Sequence, residues 1–329
     1  MDIKKCRVLS VGHARMLAEK ATDTDSLLSI VDQVTKEDRI RGEANDYHNL
    51  AVTFTRTYDD YVSGFEIVEK GLTYFPNNVD LLADAVYYGS NAGRFVECEN
   101  YLSSLEKIPT ALWNWRAFSF SIDYLLQKTD WEKRPTSKGL LELTEKALKY
   151  ARLEQVALSG DAEVERGYLA EHKIRLVRER YFRLMGSSNN DDKYTKAAGI
   201  EREAAEGVLK AAINNGGFTA TACCLKLADM YFDSKKYKDT IDVCRKALSS
   251  PQSQPSANLG YFMYLIAMSE DAQLYEKDSF GDEMRVRNCY RDYVGAYRCN
   301  PDRGTYRRNI LTRLAILEAR SGISAPPVE

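Results

Sequence analysis

Two stretches of this chain superimpose at an offset of 34 residues, and each ends in a proline. From Asn45 to Pro76, Ala51, Val52, Tyr61, Gly64, Val68 and Gly71 recur at helical spacing. From Val79 to Pro109 the matching run carries Ala85, Val86 and Tyr88, a turn at Ala92-Gly93-Arg94-Phe95, then Cys98, Leu102 and Leu105. A helix pair of this length cannot bury its apolar stripe alone, so it must stack on copies of itself. The expected fold is therefore all-α, an array of stacked antiparallel helix pairs.

A further unit runs from Thr221 to Pro251. Its first helix carries Leu225, Leu227, Ala228, Tyr231 and Phe232; after the turn Ser234-Lys235-Lys236-Tyr237 its second carries Ile241, Cys244, Ala247 and Leu248. The last full unit spans Gly260 to Pro301, with Cys289, Tyr293 and Ala296 in the second-helix register and an inserted loop at 277–281. Between them the pattern is irregular, over 112–215. One unit begins near Leu112 with Trp113, Trp115, Phe118 and Ile122, inserts Lys128 to Pro135, and resumes with Leu140, Leu143, Ala147 and Tyr150. Two longer helices, Asp161 to Met185 and Lys193 to Ile213, then flank Gly186 to Asp192, a run of turn formers.

These units resemble the tetratricopeptide repeat. That family places small residues near positions 8, 20 and 27 of each unit and a proline near 32. Positions 20, 24 and 27 here are Gly64, Val68 and Gly71 in the Asn45 unit, and Thr240, Cys244 and Ala247 in the Thr221 unit. Small side chains let paired helices approach closely, and proline stops the second helix because it supplies no N–H. The resemblance implies a right-handed α-solenoid, a superhelix with irregular insertions, with repeats over 45–301 and a capping helix over 302–321. Apolar periodicity at Val8 to Leu17 and Leu27 to Val34, the latter after the N-cap run Thr22 to Asp25, adds a capping helical pair over 1–44, and the tail over 322–329 reads as disordered.

Composition fits one continuous array. The chain has 329 residues, 44% hydrophobic and 29% charged, enough to bury a large core spread along its length. Its apolar runs are too short to span a membrane. Seven cysteines, an odd number with no Cys-x-x-Cys pair, point to reduced thiols and a cytoplasmic location, with no metal and no cofactor. Catalytic motifs are absent: of the three histidines, His48 falls at a large-residue core position and His172 in a long charged helix, and no phosphate loop or nucleophile elbow is found.

What remains is binding. The resemblance implies a concave wall built by positions 2, 5, 9, 12 and 13 of each first helix. Those positions include Asn49 and Arg56; Tyr87 and Asn91; Arg116, Phe120, Asp123 and Tyr124; Asp229 and Phe232; and Tyr261 and Tyr264. Such a wall suits a protein or peptide partner, because aromatic residues and arginine bury much area at small rotamer cost. The competing reading is that Tyr87, Phe120 and Phe232 pack helix against helix. The grip for acidic chaperone tails, a cation at position 5 and asparagine at 9, is met by Arg116 alone. The chain thus reads as a non-catalytic interaction module, a scaffold or regulatory adaptor. A sensor that binds a peptide or small ligand and regulates an effector is one alternative. Nucleic-acid binding is the other: from Asp282 to Gly322 nine arginines face five acids, hence +4, including a patch of Arg303, Arg307, Arg308 and Arg313 with tyrosines interleaved. Against it stands the sequence pI of about 6.1.

Overall fold

In a computed structural model of the chain, the described residues are 7–137, 139–157, 164–215, 220–249, 256–299 and 304–321. Among them the regular structure is wholly helical. In order the helices are α1 (Val11–Ala18), α2 (Thr24–Lys36), α3 (Ala44–Tyr58), α4 (Tyr61–Tyr74), α5 (Val79–Asn91) and α6 (Phe95–Leu105). A 3-10 turn (Thr110–Leu112) precedes α7 (Trp115–Thr129), α8 (Leu140–Ala157), α9 (Val164–Asn189) and α10 (Asp192–Asn214). They continue as α11 (Ala220–Asp233), α12 (Tyr237–Leu248), α13 (Ser256–Glu276), α14 (Glu283–Cys299) and α15 (Gly304–Ser321). Of the four prolines that close units, Pro76 and Pro109 follow α4 and α6 as the spacing requires, while Pro251 and Pro301 lie outside the described residues, as does the tail.

The chain divides into two compact units, Met1–Arg202 and Glu203–Glu329. The sequence reading expects one unbroken array. The 34-residue period is lost over 112–215, where α9 and α10 run to 26 and 23 residues, and the division falls within α10. Within each unit the packing is that of a helical solenoid. Helices pack on their chain neighbours, and first helices also touch one another: α3 on α5, α5 on α7 and α7 on α9 in the first unit, α11 on α13 in the second.

Local chemistry sets these helices. Asp23, Asp60, Asn78 and Asn114 cap α2, α4, α5 and α7, each side chain accepting from the backbone N–H three residues on. Gly93, at φ +78, turns the chain between α5 and α6. The turn run at 186–192 behaves otherwise, since α9 continues through Gly186 and Ser187 to Asn189. A Cβ on Gly186 would stand 3.1 Å from Thr195 Oγ1 of α10, so tertiary packing overrides the turn-forming composition.

The second helices share one core signature. Residues at i, i+4 and i+7 are buried in five of them: Gly64/Val68/Gly71 in α4, Cys98/Leu102/Leu105 in α6, Leu140/Thr144/Ala147 in α8, Thr240/Cys244/Ala247 in α12 and Cys289/Tyr293/Ala296 in α14. Their small members sit against a neighbouring backbone or ring. A Cβ on Gly71 would meet Tyr47 Cγ at 2.9 Å and Leu81 Cδ1 at 3.1 Å, and one on Gly64 would meet Thr55 Cγ2 at 2.9 Å. Cys98 Sγ donates to Val86 O at 3.5 Å, and Cys289 Sγ to Ala267 O at 3.4 Å. These thiols serve packing; burial pushes those of Cys98 and Cys244 up to about 12. Overpacking such contacts forces helices apart, so Gly71→Leu and Ala247→Leu are each expected to destabilise by ~1–3 kcal/mol in urea unfolding. An unchanged midpoint in both variants contradicts the close-contact register.

Candidate functional site

The first-helix face of the first unit carries a cleft of 480 Å³. Tyr87 and Asn91 of α5 form one wall; Asp123 and Gln127 of α7, Trp131 of the loop that follows, and Lys173 of α9 form the other. Asp130 takes the left-handed conformation at the end of α7, φ 47, and so turns the inserted loop, with Trp131, back towards the cleft. Tyr87 is half-buried and stacks on Phe120 of α7 at 4.4 Å with 20° between ring planes. Trp115 meets Phe120 edge-on at 6.0 Å, and Tyr61 meets Tyr87 at 6.1 Å, so four rings form a row. Two arginines of α9 cap tryptophans of this face: Arg166 lies 3.8 Å from the Trp115 ring and Arg180 5.6 Å from that of Trp131.

Asp123 is the carboxylate among these rings. Burial pushes it above the usual carboxylate range, and Lys173, with Nζ 3.9 Å away, offsets this only in part. Burial raises the Tyr87 hydroxyl as well, with the Tyr61 hydrogen bond adding to the shift.

Nearer the start of the same helices is a polar network that the sequence reading assigns to apolar core. His48 Nδ1 and Asp84 Oδ2 are 2.5 Å apart, and Arg116 Nη1 lies 2.7 Å from His48 Nε2. Arg116 Nη1 also lies 3.0 Å from Nδ1, so the guanidinium contacts both ring nitrogens. Arg116 Nη2 pairs with Asp80 at 2.9 Å, and Asn114 donates to the same carboxylate at 2.6 Å. Asp84 is fully buried; desolvation raises it, and His48 and Arg116 oppose the rise. Arg116 is thus committed to its own chain's groups, and both His48 nitrogens are engaged.

The other expected wall residues separate. In the first unit Asn49 is half-buried, while Arg56 and Asn91 are exposed. Tyr124 does not line the groove. It is fully buried, and its hydroxyl donates to Glu99 of α6 at 2.8 Å. Arg116, Phe120 and Asp123 lie at i, i+4 and i+7 on one face of α7, and Tyr124, one residue further, is turned about 100° away onto α6. Tyr124→Ala is therefore expected to cost about 3–5 kcal/mol, as aromatic core truncations do. A loss under about 0.5 kcal/mol, usual for a surface site, contradicts this placement.

In the second unit Asp229 accepts from Tyr261 at 2.7 Å, Phe232 packs edge-on against Tyr237 at 5.7 Å, and Tyr264 against Tyr293 at 6.4 Å. These rings bridge helices. The arginine-rich end is internally matched in part. Arg313 is no surface patch residue: its guanidinium meets the buried Asp271 at 2.5 Å, which also accepts from Tyr293. Arg285, Arg287 and Arg291 pair with Asp282, Glu283 and Asp292. Arg307 and Arg308 are exposed, Arg307 over the Tyr297 ring, and Arg303 lies outside the described residues.

A second cavity of 280 Å³ lies among α12, α13 and α14, lined by Arg245, Glu270 and Arg285. Glu270 pairs with Arg245 through Oε1, while its buried Oε2 has no partner. Desolvation, reinforced by Asp292, pushes Glu270 up to about 6. No family model matches this chain, and no curated protein matches it. Among the described residues no group of three His, Cys, Asp or Glu is placed to hold a metal ion, and no helix is long and apolar enough to cross a membrane.

The Glu270 shift has a measurable consequence. Because its folded-state value lies above the unfolded one, its contribution to stability is full below about pH 4.5 and is lost as pH rises through about 6. Glu270→Gln removes this dependence. Denaturant unfolding should show the variant gaining on the parent by about 1–2 kcal/mol between pH 4.5 and pH 7.5. A constant difference between them contradicts a desolvated Glu270.

Proposed function

We propose that this chain is a non-catalytic binding module, related in design to the tetratricopeptide repeat, that holds a protein or peptide segment on the first-helix face of its first unit. The stacked, half-buried Tyr87–Phe120 pair at a 480 Å³ cleft carries this reading. Rings fixed by their neighbours before binding lose little freedom when a partner covers them, and partly exposed aromatics surrounded by polar side chains are the usual anchors of binding energy. Asn91, Gln127 and Asp123 supply the polar groups that orient a peptide backbone. The small residues of the second helices support the resemblance, since close pair packing is what the repeat requires.

Selection of random displayed peptides against the whole chain tests the reading. Enriched peptides are expected to lose ~1–2 kcal/mol of affinity on Tyr87→Ala. Gln127→Trp, an exposed change that fills the cleft, should weaken them comparably while the melting point stays within a few degrees of the parent's. Peptides that bind both variants as tightly as the parent contradict this site.

A further inference from the structure

The cleft's chemistry narrows what it takes. Asp123 accepts no side-chain hydrogen bond among the described residues, and its one cationic neighbour, Lys173, stands at 3.9 Å, beyond hydrogen-bond range, with both side chains about half exposed. This carboxylate thus lines the cleft with no donor among the described residues filling its hydrogen-bonding capacity. A cation bringing its own N–H groups gains most in such a place. Aromatic rings flank it: Tyr87, stacked on Phe120, and Trp131. The same face already shows which groups its rings accept, since Arg166 and Arg180 lay guanidinium groups against Trp115 and Trp131. No cation of the chain lies over Tyr87 or Phe120 among the described residues. Carboxylates in the lining, Asp123, Asp130 and Glu132, also outnumber the ammonium groups of Lys133 and Lys173.

We infer that the cleft receives an arginine side chain of a peptide partner, with Asp123 as its counter-ion and Tyr87, backed by Phe120, as an aromatic wall. The inference rests on the peptide-binding reading above. The guanidinium displaces Lys173 from Asp123 and forms the paired N–H donation that an ammonium at 3.9 Å does not make. Lysine is the weaker occupant, because its point charge offers no planar group to lie on a ring.

Fluorescence anisotropy with labelled glycine–serine peptides bearing arginine, citrulline or glutamate at the same positions tests this on the full chain. Arginine peptide should bind about tenfold or more tightly than the uncharged citrulline peptide, and glutamate peptide not at all. Asp123→Asn should erase the preference, while Glu142→Gln, an exposed change on α8 outside the lining, keeps it. Lys173→Gln should strengthen arginine binding, by removal of the competitor. Equal binding of arginine and citrulline peptides, equal loss in Asp123→Asn and Glu142→Gln, or weaker arginine binding in Lys173→Gln overturns the inference. Selected peptides that depend on Tyr87 yet show no arginine preference overturn it while leaving the binding site in place. Absence of any peptide binding overturns both.

Discussion

Close approach of two helices at small side chains is the constraint on which the rest of this structure depends. At Gly64 and Gly71 the α3–α4 pair is too tight for a single added carbon, and the sulfurs of Cys98 and Cys289 reach neighbouring backbone carbonyls. With the pair so narrow, Tyr47 of α3 seats against Gly71 of α4, and Tyr47, Leu50 and Phe54 join a core continuous with that of α5 and α7. Each fully buried large side chain contributes about 1.5–3 kcal/mol from transfer alone, and none of it is gained without the stacking.

That arrangement leaves the first helices one face uncovered by second helices, and the residues there divide by length. Ala83, Thr53 and Ser90 are short and are buried by their neighbours; Tyr87 and Phe120 are long enough to stay half exposed. Polar groups at the start of these helices close on themselves through His48, Asp84, Arg116 and Asp80. Towards the other end no such closure occurs. There Asp123 meets only a distant lysine, and the inserted loop brings Trp131 alongside. Among the described residues, one end of the face is paired within the chain except at Asp84 Oδ1, which is buried without a partner, and the other presents a carboxylate with no side-chain hydrogen bond.

Much of the architecture was legible in the sequence, because period, capping residues and prolines are local signals. The positions read as buried in Gly64, Val68, Gly71, Cys244, Ala247, Tyr293 and Ala296 are buried. The site was legible in part. Tyr87, Asn91, Phe120 and Asp123 follow from repeat register, yet Tyr124 does not, since adjacent positions on a helix differ by about 100° and only one of the pair reaches the open face. Trp131 and Lys173 come from an insertion and from an over-long helix, where no register exists to read. His48 looked apolar in position because a buried polar side chain is betrayed only by its partners, 36 and 68 residues away in sequence. Within the arginine-rich patch Arg307 and Arg308 are exposed as read, and Arg313 departs for the same reason as His48: it finds Asp271 at 42 residues' distance.

Amide hydrogen exchange of the full chain, with and without a bound peptide, tests most directly the claim that the first-unit face is the binding site. Binding there slows exchange in the C-terminal half of α5 and in α7 with its following loop, around Tyr87–Asn91 and Phe120–Lys133. Slowed exchange confined to α12, α13 and α14, with α5 and α7 unchanged, would place the partner elsewhere and contradict the account.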